Sequence, residues 1–281
     1  MRVGTNGRST AGAVPRGIAA SALACLVFLA PAVLAAQSAG ALPFAVGERF
    51  DYKVRVPRLG TVGRGAMWVE GPVDVRGVST LLLRFDSRVR IGPVSASDRT
   101  SSWLDPRRMA SLRYEKRGRS PLSRRDEIVQ LYPEEHRWTA ANGDSGASPS
   151  AEPLDELSFI YFIRTLPFPA DTTYRLVRHF DLARSPTTVR VVRREALTTP
   201  AGAFRTVLVE MRVRDPRRYR GEGVVRINFT DDSARLPVRI ESTMPMVGTA
   251  VLLLESHTSP ATGHVTRTPG STRDSSAHVH R

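Results

Sequence analysis

Few residues in this chain are of types that do chemistry, and their spacing limits what they can do. Asp231-Asp232 is a carboxylate pair that could hold a cation or divide acid and base roles between its members. It follows a strand-like run and precedes Ser233-Ala234, which suits a turn, and the further oxygen ligands that a cation needs are not suitably spaced. His136, His179 and His257 stand singly; His278 and His280 lie near the C-terminus, where an adventitious metal contact is the most they offer. There is no His-Glu-x-x-His run and no Gly-x-Ser-x-Gly elbow. Gly60, Gly63 and Gly65 do not lead from a strand into a helix, so they are hairpin glycines and not a phosphate loop. Nothing sets a nucleophile beside a base. The sequence therefore predicts no catalytic residue, no metal and no cofactor, and a protein that is not an enzyme.

Binding is the chemistry left, and Arg164 is its clearest candidate. It is the charged residue at the end of the stretch Pro153-Leu154-Asp155-Glu156-Leu157-Ser158-Phe159-Ile160-Tyr161-Phe162-Ile163-Arg164-Thr165-Leu166. The spacing predicts a helix here, with Pro153 at its first position, Asp155 and Glu156 at the positive end of its dipole, and Pro167 and Pro169 ending it. Its apolar residues are not confined to one stripe, so something must enclose it. Arg164 either faces a cavity and pairs with an acidic head group, or satisfies the carbonyls at the helix end; the second is the simpler reading. Trp68, Phe85, Tyr161, Phe162 and Phe180 are expected to face inward, either lining a pocket for an apolar or amphipathic ligand or filling a closed core.

The elements that must hold these residues are strands. Phe50, Tyr52, Val54 and Val56 alternate with Asp51, Lys53 and Arg55, the pattern of a half-buried strand. A second strand, Gly65 to Glu70, is expected to stop at Gly71-Pro72. Leu81, Leu83, Phe85, Val89 and Ile91 oppose Arg84, Asp86, Arg88 and Arg90, and Gly92-Pro93 turns the chain. Shorter strands are expected around Arg99–Leu104, Met109–Lys116, Ile128–Leu131 and His136–Thr139. Residues 141–150 read as a flexible surface loop. After the helix, strands resume at Tyr174 to Phe180, Val189 to Arg193, Val207 to Val213, Val225 to Phe229 and Val238 to Ile240. Val251 to Leu254 is continuously apolar, which predicts burial on both faces. Strands with one apolar and one arginine-rich face around one apolar helix predict a mainly β fold: a single curved antiparallel sheet, half-barrel-like, wrapped around a central helix. A transmembrane barrel also alternates, but only 7% of residues are aromatic, too few for interfacial girdles.

The chain has 281 residues, 41% hydrophobic and 24% charged, enough core for one domain at 42–257. Residues 1–36 read as a secretion signal: Arg2, Arg8 and Arg16 precede an uncharged apolar run from Gly17 to Leu34, with small residues placing cleavage after Ala36 or Ala41. The expected location is the periplasm or outside the cell. Cys25, the only cysteine, lies inside the apolar run, so lipidation there is disfavoured and the exported chain has no disulfide. Residues 258–281 are polar and predict a disordered tail. The net charge is +14, three positives lying in the leader. The basic residues are nearly all arginine and interleave along strands, which argues against nucleic acid and leaves contact with an anionic envelope surface. A structural or adaptor role, with the arginine face against an envelope protein or anionic polymer, is the alternative to ligand binding.

The motifs in order resemble the domain-of-unknown-function 3108 family of exported bacterial proteins. They are Pro43-Phe44-Ala45-Val46-Gly47-Glu48-Arg49-Phe50-Asp51-Tyr52, Tyr161-Phe162-Ile163-Arg164 and Thr199-Pro200-Ala201-Gly202-Ala203-Phe204. Asp231-Asp232 with Arg235-Leu236-Pro237-Val238-Arg239-Ile240-Glu241 follows, then Gly248. Phe229-Thr230 stands where a nearby tryptophan fits the family pattern, and the loop around Gly143 is not part of it. The resemblance spans about Leu42 to His257. It implies export, a β-rich fold and no established activity, and by fold analogy it points to half-barrels with an inserted helix that carry lipids or lipoproteins.

Overall fold

The computed structural model describes residues 42–121, 123–214, 222–244 and 248–259. The leader with Cys25 and the tail with His278 and His280 lie outside the described residues.

The alternation in the sequence becomes pairing. In β1 (Arg49–Val56), Phe50, Tyr52, Val54 and Val56 are buried while Arg49 and Arg55 are exposed. β2 (Gly60–Val75), β3 (Val78–Ile91), β4 (Val94–Asp105), β5 (Ala110–Ser120), β6 (Ser123–Tyr132), β7 (Arg137–Ala140) and β8 (Ser145–Ala147) continue as a meander. The helix α1 (Glu156–Ile163) follows. Then come β9 (Thr173–Leu176), β10 (Thr187–Thr199), β11 (Gly202–Arg214), β12 (Glu222–Thr230), β13 (Pro237–Met244) and β14 (Gly248–Thr258). All are antiparallel neighbours in one sheet of order β8-β7-β6-β5-β4-β3-β2-β1-β14-β13-β12-β11-β10-β9. β1 and β14 pair at its centre, and β8 and β9 are its edges. The sheet is not closed into a barrel. It is strongly curled: the Ala201 N–H, in the turn after β10, donates to the Leu254 carbonyl at 3.0 Å, although three strands separate β10 from β14. The expected curved sheet around one helix is what forms.

The helix fills the hollow. Leu157, Phe159, Tyr161 and Ile163 are buried in the main core with Phe50, Tyr52, Met67, Leu83, Val209 and Leu254. Eight residues make a marginal helix in water, so it is this burial, about 1.5–3 kcal/mol per large side chain, that holds it.

Several local expectations change. The helix begins three residues later than Pro153 implies, because Asp155 takes the N-cap. Its Oδ1 accepts from Leu157 and Ser158 N–H at 2.9 and 3.0 Å, and the Ser158 hydroxyl accepts from Asp155 N–H at 2.8 Å. This reciprocal capping satisfies the N–H groups of Asp155, Leu157 and Ser158, which have no partner within the helix. Gly71-Pro72 does not stop β2, because a register shift between Glu70 and Val73 carries the strand past the proline as a bulge. Residues 141–150 are not simply a loop: Asn142-Gly143 turn the chain, and Ser145–Ala147 pair with β7. The strand expected through Phe180 ends at Leu176, and Leu154 bridges to His179 instead. In β14, Leu252 and Leu254 are buried while Val251 and Leu253 are half-buried, so the run is not sealed on both faces.

Candidate functional site

Both helix ends are fastened by buried polar groups. At the N-terminus the Ser102 hydroxyl of β4 donates to Asp155 Oδ2 at 2.5 Å, and the Ser111 hydroxyl of β5 donates to Ser158 Oγ at 2.8 Å. Burial lifts the Asp155 carboxyl above its usual range, and these hydrogen bonds pull against that shift. At the other end Arg164 makes a two-pronged ion pair with Glu48, 2.7 Å on each arm, their side chains 1% and 3% exposed. It also donates to the Pro43 and Ala234 carbonyls. Its guanidinium lies over three rings, with centroids at 5.4 Å for Phe44, 5.5 Å for Phe50 and 5.6 Å for Tyr161.

The partners of Arg164 in the structure are all within the protein. Its side chain serves carbonyls of other segments, not those of its own helix, and Glu48 already occupies the place of an acidic head group. Tyr161 packs edge-on against Phe44, centroids 5.0 Å apart, in the same cluster. Phe162 is half-buried under the Arg178 guanidinium, 4.3 Å from its ring. Trp68 does not face inward. Met67 and Val69 take the core side of β2, so Trp68 lies outside, under Arg49, with its indole N–H on Glu70 at 2.7 Å. Phe180 joins a smaller cluster with Tyr114, Val129 and Leu131. Asp232 is a turn former: its Oδ1 accepts from Thr230 Oγ1 and from Ala234 and Arg235 N–H.

Of the expected ligand-binding residues, Phe85 lines the cavity that the fold does enclose; Arg164, Tyr161, Phe162, Trp68 and Phe180 do not. This cavity, about 190 Å³, lies between α1 and the sheet. Leu157, Phe159 and Ile160 wall it from the helix, and Met67, Phe85, Met211, Ile240 and Leu252 from the strands. Of its lining residues Arg214 is exposed, and Phe85, Asp98, Glu156, Ile160, Val213, Val225 and Ser242 are half-buried.

Part of the wall is charged, and the charges are mutually committed. Lys116 Nζ reaches Glu156 at 2.6 Å and Asp98 at 3.7 Å. Arg184 reaches Glu156 at 3.4 Å and Glu127 at 3.7 Å. Beside them sit two buried polar groups without a hydrogen-bond partner, His179 Nε2 and Thr187 Oγ1. The Asp181 N–H donates to His179 Nδ1 at 3.1 Å, which puts the ring proton on Nε2. Burial first, then the nearby Arg184, pushes this imidazole down to about 3, so it is neutral at physiological pH. With its lone pair used on the backbone, His179 offers a proton donor and no base. The sequence reading missed His179, Thr187, Lys116 and Arg184. Lys116 carried a signal, being one of two lysines in a chain whose other basic residues are arginine. His179 carried none, since its burial depends on the bridge to Leu154.

A long antiparallel sheet curled around one helix defines a β-barrel-like class, and a solved structure shares it. A β-barrel-like protein of domain of unknown function DUF1849 from Brucella abortus superposes with a TM-score of 0.51 at 13% identity, over 75% of this chain and 96% of that one. A protein with a YmcC-like fold from Bacteroides fragilis, provisionally named as exported, matches at 13% identity and TM-score 0.28, over 77% of this chain and 98% of that one. One from Parabacteroides distasonis, provisionally named a lipoprotein, matches at 11% and 0.28 over the same shares. These last two bear on neither fold nor function. No curated protein sequence matches this one. The chain belongs to the family described as "Protein of unknown function (DUF3108)", which matches residues 42–255. Neither that family nor the Brucella fold neighbour gives a sign of catalysis. Among the described residues no helix is long and apolar enough to cross a membrane.

Proposed function

We propose that this protein is an exported, non-catalytic envelope protein that holds the apolar part of a small molecule between its curved sheet and its helix. The observation that carries the reading is the cavity of about 190 Å³ walled by Met67, Phe85, Leu157, Phe159, Met211 and Leu252. A dry apolar cavity of roughly 150 Å³ binds benzene, so this one suits a ring or a short acyl segment and not a whole lipid. Export is supported by the leader pattern, and recovery of the mature chain from a periplasmic fraction tests it.

The binding test uses methionine-methyl NMR on the purified full chain titrated with toluene. Met67 and Met211 line the cavity, whereas Met109, packed elsewhere on the core, does not. Saturable shifts at Met67 and Met211 without one at Met109 are expected. No shift, or equal shifts at all three, counts against the reading.

An adaptor role is the second reading, favoured by the outward arginines Arg55, Arg64, Arg88 and Arg90 on the first strands. Salt-sensitive retention on envelope fractions would support it.

A further inference from the structure

Alternate turns of a meander lie at the same end of the sheet. The β1–β2 turn at Arg58-Leu59, the β3–β4 turn at Gly92-Pro93 and the β5–β6 turn after Ser120 therefore share one end. The pairing of Arg55 with Val251 and of Met244 with Gly248 puts the start of β14 and the end of β13 at that end too. The helix crosses the opposite end, fastened to Glu48 and to the bottom of β4 and β5. The cavity lies between, and its exposed lining residue, Arg214, ends β11 on the side of the first end.

That end has an unusual surface. Leu59 and Val94, at two of its turns, are 55% and 49% exposed, among the few large apolar side chains left in water among the described residues. Singly such residues are unremarkable; here they stand within a collar of arginines. Arg88 and Arg119 pair with Asp86 and Asp126. Arg55, Arg58, Arg64 and Arg90 have no ion pair among the described residues. Apolar tips inside a ring of uncompensated cations complement one kind of surface, a bilayer with anionic headgroups and an apolar layer beneath them.

We propose that this end docks on an anionic lipid surface, Leu59 and Val94 entering the headgroup layer while Arg55, Arg58, Arg64 and Arg90 pair with lipid phosphates. Docked this way, the cavity reaches the bilayer and not bulk water. The docking stands independently of the cavity reading, since it needs no ligand inside the sheet.

The test is flotation of the purified full chain with phosphatidylcholine vesicles, with and without phosphatidylglycerol. Binding to the anionic vesicles alone, lost at high salt, is expected. The double variant Arg58→Gln/Arg90→Gln should bind more weakly by about fivefold per arginine. Leu59→Ser/Val94→Ser should also weaken binding, and without changing its salt slope. All four positions are exposed or at turns, and thermal melts confirm that the variants fold. Arg205→Gln, on an exposed position near the opposite end, should bind like the unaltered protein. No binding to anionic vesicles, or binding that the Arg58/Arg90 pair does not weaken, overturns the proposal. So does equal binding to a soluble polyanion with no dependence on Leu59 and Val94, which would assign the collar to an anionic polymer. Toluene shifts at Met67 and Met211 without vesicle binding would leave the cavity reading standing and remove this one.

Discussion

Glu48 and Arg164 lie 116 residues apart and meet in a doubly hydrogen-bonded, fully desolvated ion pair. The pair joins the segment before β1 to the end of the helix, and through the Ala234 carbonyl to the turn between β12 and β13. Pro43 and Glu48 from the chain's opening motif, Arg164 from the helix motif and the Ala234 carbonyl beside a third thus meet at one guanidinium. Their shared role in this chain is to anchor the helix.

Removing one partner leaves the other charge buried alone. Glu48→Gln or Arg164→Met should each lose about 3–5 kcal/mol in urea denaturation, whereas Glu48→Leu with Arg164→Met should recover part of it. A loss below about 1 kcal/mol in both single variants would show that the pair does not anchor the helix.

Asp155 satisfies two helix N–H groups and receives the Ser102 hydroxyl, all out of water. Asp155→Ala should cost about 2–4 kcal/mol, more than an exposed cap, because buried donors are left without acceptors. Ser102→Ala should cost about 1 kcal/mol. Equal losses in the two variants would contradict this ordering.

Gly63 and Gly118 form a matched pair. A Cβ on Gly63 would stand 2.0 Å from the Arg88 carbonyl oxygen, a backbone atom that cannot swing aside; on Gly118 its nearest neighbour would be Arg125 Cβ at 3.6 Å. Gly63→Ala should lose about 2–3 kcal/mol and Gly118→Ala should stay within about 0.5 kcal/mol of the parent. Chemical denaturation of the two variants checks the contrast.

His179 makes stability acid-sensitive. Its folded-state pKa, about 3, is below that of the unfolded chain, near 6.5. Between these values the unfolded state binds a proton that the folded state refuses, so the folded state weakens as pH falls and is unaffected above the window. The charged neighbours Arg184 and Glu156 oppose each other in this shift. Relative to His179→Gln, the parent should lose on the order of 3 kcal/mol between pH 7 and pH 4. Asp155, lifted by burial, titrates with the opposite sign but does so in both proteins and drops out of the difference. Parallel stability curves for the two proteins would refute the assignment.

The sheet and its helix were legible because period-two alternation in β1 and β3 and an all-round apolar helix each admit few solutions. Turn positions were legible where glycine and proline are obligatory, as at Gly92-Pro93. The site was much less so. Trp68 was read inward because an aromatic ring suits a core, but strand parity gave that side to Met67 and Val69. Arg164 was recognised as singular, yet its partner Glu48 is fixed only by how the sheet curls. His179 and Thr187 reach the cavity wall through the bridge of His179 to Leu154 and the curl of the sheet, which no local alternation specifies.

Because β1 and β14 are neighbours, the middle of the sheet joins its earliest strand to its latest. Each half can assemble as a run of hairpins, but the seam between them waits for the whole chain. A polypeptide emerging from its N-terminus therefore exposes the bare flank of β1 until β14 arrives, and a free peptide copying Gly248–Thr258 would compete for that flank during refolding.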